Sequence, residues 1–112
     1  MAIRKVSVGK QLSSGSTTIM YTVPTGYRAS WGLLFLTNHT TVSKKFTVEW
    51  RDADNNLIVN VFLDYPLTGK EFLKMDGESW VQLEEGHTIT IIAETGADAD
   101  AICSFELERN NG

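Results

Sequence analysis

Phe46-Thr47-Val48-Glu49-Trp50-Arg51, the segment Asp52-Ala53-Asp54-Asn55-Asn56 and the run Leu57-Ile58-Val59-Asn60-Val61-Phe62-Leu63 follow one another directly. In the first, Phe46, Val48 and Trp50 alternate with Thr47, Glu49 and Arg51, the two-residue period of a strand with one buried face. The second is turn chemistry, because Asn and Asp bond their own backbone and tolerate left-handed geometry. The third is apolar on both faces, with Ile58 and Phe62 opposite Leu57, Val59, Val61 and Leu63. Strand, turn, strand is the unit from which the rest of the chain is read.

Upstream, Tyr21-Thr22-Val23 reaches Pro24-Thr25-Gly26, where Pro24 cannot donate to a ladder and Gly26 permits positive φ, so a strand ends in a tight turn. From Ala29 to Leu36, Ala29, Trp31, Leu33 and Phe35 share one face while Gly32, Leu34 and Leu36 share the other. Two readings compete for this doubly apolar strand: a central position covered on both sides, or an outer face that meets another chain. Thr37-Asn38-His39-Thr40-Thr41 closes it as a turn. Its Asn38-His39-Thr40 matches the N-glycosylation pattern, but without a secretory leader it reads as a hairpin turn.

Further out, Ile3, Lys5 and Ser7 alternate with Arg4, Val6 and Val8 in a short strand, or in a basic arm over residues 1–12 lying on a neighbouring subunit. Gln11 to Thr18 reads as a loop, and Thr17, Ile19, Tyr21 and Val23 as one face of a strand. Asp64 to Gly69 is a turn-rich connection and Lys70 to Met75 a weak strand. Asp76-Gly77 signals a hairpin. Trp80, Val81 and Leu83 precede the turn Glu84-Glu85-Gly86-His87. Thr88 to Glu94 alternates, and the last strand turns Ala101, Cys103, Phe105 and Leu107 inward. The expected architecture is an all-β, antiparallel β-sandwich, jelly-roll-like, of eight or nine short strands, with residues 1–112 forming one domain.

Composition narrows the function. Ten basic and fourteen acidic side chains give 10 − 14 = −4, and neither Arg4, Lys5 and Lys10 nor Lys44-Lys45 makes the stripe that binding to DNA needs. Nucleic acid is therefore not an expected partner. No apolar run approaches the ~20 residues of a membrane span, and the N-terminus lacks an apolar leader core. A soluble chain made in a reducing cytoplasm is expected.

No set of residues reads as catalytic or as a cofactor or metal site. Cys103 lies in an inward alternation and reads as core, since a reactive thiol needs a base and an electropositive setting. His39 and His87 fall in turns with no ligand at metal spacing. The Asp52 segment lacks the Gly and Glu of a calcium loop at the sixth and twelfth positions. Glu84-Glu85 and Asp98 with Asp100 are loop carboxylates, which read as solvated. Trp31 and Trp50 read as core. Tyr27, Tyr65 and Trp80 have two readings, a platform on which sugar stacks, or side chains that cap the ends of the sandwich or pack against a neighbouring chain.

Tyr21-Thr22-Val23-Pro24-x-Gly26-Tyr27, an apolar strand ending in Thr37-Asn38-His39-Thr40, and the later Leu83-Glu84-Glu85-Gly86 together resemble a pattern in small tailed-bacteriophage virion structural proteins. The resemblance spans most of Tyr21 to Glu94. It implies a non-enzymatic virion protein, synthesised in the host cytoplasm: a capsid decoration (cement) protein that contacts other copies of itself and the major capsid protein. The alternatives are a tail or collar accessory or fibre adaptor, contacting tail proteins, and a carbohydrate-binding module for host attachment. Contact residues are expected at Leu34, Leu36, Ile58 and Phe62, with Ile3, Arg4 and Lys5 as the arm.

Overall fold

A computed structural model describes residues 3–54 and 56–109, the side chains of Ile3 and of residues 76–80 lying outside the description. Eight strands occur among the described residues: β1 (Ile3–Leu12), β2 (Thr17–Thr22), β3 (Tyr27–Asn38), β4 (Lys44–Arg51), β5 (Ile58–Leu67), β6 (Phe72–Leu83), β7 (Thr88–Ala93) and β8 (Ala99–Arg109). They form two four-stranded antiparallel sheets, ordered β1-β8-β3-β6 and β2-β7-β4-β5. Most connections cross from one sheet to the other, and this order is the jelly roll the strand spacing predicts.

Strand β8 keeps a strict alternation, with Ala99, Ala101, Cys103, Phe105 and Leu107 all buried. Its partner β3 does not. The pairing runs Trp31↔Phe105 and then Leu33↔Ser104, so Gly32 is an extra residue, a β-bulge. The bulge shifts the phase, and Ala29, Trp31, Leu34, Leu36 and Asn38 all turn inward. The two apolar faces read from the sequence are thus one face interrupted. The Trp31 indole N–H donates to the Leu33 carbonyl at 2.8 Å, giving that oxygen a partner where the ladder breaks.

Two other expectations change. Of the expected arm over residues 1–12, the described part, Ile3–Leu12, does not lie off the body: it pairs with β8 along its length, from Ile3↔Glu108 to Leu12↔Ala99. Asp76-Gly77 is not a hairpin between two strands. β6 runs on through it, while its register against β3 jumps from Leu33↔Asp76 to Trp31↔Val81. With that continuity the described residues form eight strands, within the eight or nine expected.

The core lies between the sheets, with Trp31, Phe46, Phe105, Leu34, Leu36, Leu83, Ile89 and Ile91 almost wholly buried. Phe105 stacks on Tyr21 of the opposite sheet, ring centroids 4.6 Å apart at 24°, and lies 6.3 Å from Trp31.

Buried Asn38 ties the loops at one end of the sandwich together. Its Nδ2 donates to the carbonyls of Val42 (3.1 Å) and Leu67 (2.9 Å), and its Oδ1 accepts from the Thr40 amide (2.9 Å). Gly69 packs so tightly here that a Cβ would lie 2.4 Å from the Thr41 backbone. Asn38→Ala leaves those carbonyls without their donor and is expected to cost on the order of 2–3 kcal/mol. A lower urea midpoint with an unchanged slope is the measurement that checks it.

Candidate functional site

Strand β5 carries the feature that stands out. Of the nine large apolar side chains exposed among the described residues, Leu57, Ile58, Val59, Leu63 and Tyr65 lie on or beside it. It is an edge strand of its sheet, paired on one side with β4. The register shifts on either side of Val48, and Val59, Phe62 and Tyr65 are the residues opposite Trp50, Val48 and Phe46. Val61 and Phe62 both rest partly against the core and Leu67 is buried in it, while Ile58, Val59, Leu63 and Tyr65 are left exposed. Asp64 adopts φ 49° at the second irregularity, where its amide donates to Thr47 Oγ1 at 3.0 Å.

Of the expected contact residues, Ile58 is 46% exposed, and Phe62 is half-buried against Tyr65, centroids 5.3 Å apart. Leu34 and Leu36 are corrected: both are fully buried, because the Gly32 bulge turns them into the core. Arg4 and Lys5 are exposed, but on a paired strand, with Lys5 across from Glu106. Ile3 is paired through its backbone, and its side chain lies outside the described residues. Leu57, Val59 and Leu63, which sequence reading did not single out, are exposed as well. The available signal was the length of the uncharged run.

The three-aromatic platform does not assemble. Tyr27 begins β3, while Tyr65 sits across from Phe46, next to the connection that leaves the far end of β3. Twelve residues of strand, about 40 Å, separate those ends. Trp80's side chain lies outside the described residues. Tyr27 instead has Arg4 and Arg109 guanidinium carbons 5.9 and 5.8 Å from its ring centre. A hydrogen bond from Arg109 holds its hydroxyl below the usual phenol range.

The loop polar groups are occupied with structure. Glu85 accepts from the Gly26 amide (3.0 Å), and the Gly86 amide donates to the Val23 carbonyl (2.9 Å). The Val-Pro-x-Gly and Leu-x-x-Gly turns thereby clasp each other. Asp52 Oδ1 accepts from the Asn56 and Leu57 amides at 2.9 and 3.2 Å. His39 pairs with Asp100 at 2.6 Å, and His87 Nδ1 accepts from the Glu84 amide at 3.1 Å. Asn38 has no exposure to offer a glycosylating enzyme. Among the described residues no group of three His, Cys, Asp or Glu side chains could hold a metal ion, and no helix is long and apolar enough to cross a membrane.

No protein-family model and no curated protein matches the sequence. Solved structures do resemble the fold. A chain of the Bacillus endospore appendages, described as disulfide-linked pili, aligns at TM-score 0.59 and 12% identity over 98% of this chain and 88% of its own. The Drosophila NLP core, described through pentamer formation and histone binding, aligns at 0.55 and 14% over 89% and 96%. A chain of infectious bursal disease virus, Gx strain, aligns at 0.54 and 12%, over 95% of this chain and 31% of its own. At these identities the shared property is the sandwich fold.

Two side chains inside the fold give checks of its chemistry. Burial pushes the Cys103 thiol up to about 12. An unfolded thiol loses its proton near ~8.5, so above that pH the unfolded state binds fewer protons and stability falls as pH rises toward the folded value. Denaturation at about pH 8 and about pH 10 should show a slope of up to about 1.4 kcal/mol per pH unit from this group, absent in Cys103→Ala. Thr90 Oγ1 is buried with no hydrogen-bond partner among the described residues. Thr90→Val keeps the shape, removes the orphan hydroxyl and is expected to raise stability by about 1 kcal/mol in the same assay.

Proposed function

We propose that this chain is a non-enzymatic structural protein of a bacteriophage virion, a decoration protein that attaches to the outside of the capsid and stabilises the shell. The observation that carries this reading is β5, an edge strand whose run of uncharged apolar side chains the sandwich leaves uncovered. Contiguous apolar surface of this kind on a small fold marks an interaction site. The resemblance of its turn motifs to those of small tailed-phage virion proteins supports it, as does the likeness to a chain of infectious bursal disease virus. The partners would be other copies of the chain and the major capsid protein, reached through Ile58, Phe62 and the apolar residues around them. The chain would be made in the host cytoplasm and reside in the virion.

Quantitative mass spectrometry of purified particles tests this reading. Copies on the order of hundreds per particle are expected for a shell protein, whereas about six or twelve would mean a tail or collar position. Absence from the particle overturns the proposal. Leu63→Asp, at a side chain 63% exposed, is expected to keep the fold and weaken binding to undecorated shells at least about tenfold, or about 1.4 kcal/mol.

A further inference from the structure

The two sheets end in four edges, β1 and β6 on one, β2 and β5 on the other. Three of these are interrupted as templates for a further strand. β5 has two register shifts and contains Pro66. β6 jumps in register against β3, from Leu33↔Asp76 to Trp31↔Val81. β2 is six residues long, with a shift between Ile19 and Tyr21. β1 differs: it is ten residues long and keeps one register against β8 from end to end. Beyond that ladder, no backbone hydrogen bond among the described residues involves residues 3–12.

The charge on β1 has one sign. No Asp or Glu precedes Glu49 in the sequence, so β1, β2 and the turn between them hold no acid, while β1 carries Arg4, Lys5 and Lys10. Carboxylates from the neighbouring elements do not cancel all of it. Glu106 lies across the ladder from Lys5 and offsets it, whereas Glu108 is paired with Arg28 and Asp100 with His39. Glu85 accepts from the Gly26 amide and Glu94 from the Lys45 amide, and Asp98 lies beyond the last rung, Leu12↔Ala99. Arg4, Val6, Val8 and Lys10 form the row on the same face as buried Leu12, the valines half-buried and the two cations exposed. Neither cation forms an ion pair among the described residues. The Arg4 guanidinium carbon lies 5.9 Å from the centre of the Tyr27 ring, which steadies it at the end of the row.

A strand added to β1 sets alternate side chains against this row. The complementary pattern is acid, x, apolar, x, apolar, x, acid, which reads the same in either chain direction. The β1 strand of a second copy does not fit. Paired antiparallel, it brings Arg4 opposite Lys10, and like charges directly opposite destabilise a strand pair. We infer that β1 is a docking edge for an extended acidic segment of another protein, held by the open backbone ladder, with carboxylates at Arg4 and Lys10 and apolar side chains over Val6 and Val8. This surface is separate from β5 and does not depend on the function proposed above.

A fluorescently labelled synthetic peptide, Ser-Glu-Thr-Val-Thr-Val-Thr-Glu-Ser, titrated into the full chain and followed by anisotropy, tests this, with amide hydrogen exchange on the complex. Saturable binding is expected below about 1 mM, with exchange slowed along β1 and unchanged along β5. Arg4→Glu with Lys10→Glu should weaken binding at least about tenfold, and Lys10→Gln alone about threefold, with unchanged far-UV circular dichroism. The peptide with Lys in place of both Glu should bind the Arg4→Glu, Lys10→Glu variant better than wild type. No saturation up to about 1 mM, protection elsewhere than β1, folded variants that bind as wild type does, or a Lys peptide that prefers wild type overturns the inference. A chain that binds the peptide but is absent from particles would sink the functional reading alone. A chain present on particles that ignores the peptide would sink the docking edge alone.

Discussion

Phe105 lying between Tyr21 and Trp31 is the contact on which the sandwich depends. Offset aromatic stacking holds the two sheets together at one depth of the core, and it requires Trp31 to face inward. That requirement conflicts with Leu34 and Leu36 also facing inward unless one residue is skipped. Gly32 is that residue. The bulge interrupts a ladder, and the Trp31 indole donates to the carbonyl beside the break. One side chain thus fills the core and repairs the backbone defect that lets it do so.

The ends of the strands are fixed by polar clasps rather than by apolar packing. Asn38 spans the β3–β4 and β5–β6 connections, and Thr40 Oγ1 accepts from the Asp98 amide at 3.0 Å to draw in the loop before β8. At the opposite end the Val23–Gly26 and Glu84–His87 turns exchange backbone and carboxylate bonds. Buried amides and carbonyls must find partners, so these clasps recur wherever a jelly roll turns its chain between sheets. The Val23–Gly26 and Leu83–Gly86 turns act here as fasteners of the fold.

Between these fixed ends the sandwich is covered unevenly. Val61 and Phe62 of β5 and Leu73, Met75 and Val81 of β6 are only partly buried against the core. Eight strands suffice for one core and leave β5 with apolar side chains to spare. A structural protein that works in many copies uses such a surplus, since burying it between subunits supplies the association free energy. The side of the molecule that is unfinished as a monomer is the side on which assembly is proposed.

Several properties of this protein were decided by sequence alone. Period-two alternation in Phe46–Trp50 and Ala101–Leu107, with turn residues at regular intervals, specified strands and a two-sheet architecture. These patterns express local geometry, namely which face a side chain occupies and where φ can turn positive. The length of the Leu57–Leu63 run announced apolar surface in excess. Only the tertiary structure decided which of those side chains stay outside. The Gly32 bulge took Leu34 and Leu36 into the core, and the edge position of β5, bulged at Leu63, left Leu57, Val59 and Leu63 out. It also placed Ile3–Leu12 in the sheet and set Tyr27 and Tyr65 at opposite ends. A bulge is a mismatch between two paired strands, so it belongs to neither segment's own pattern and exists only once the partner strand is in place.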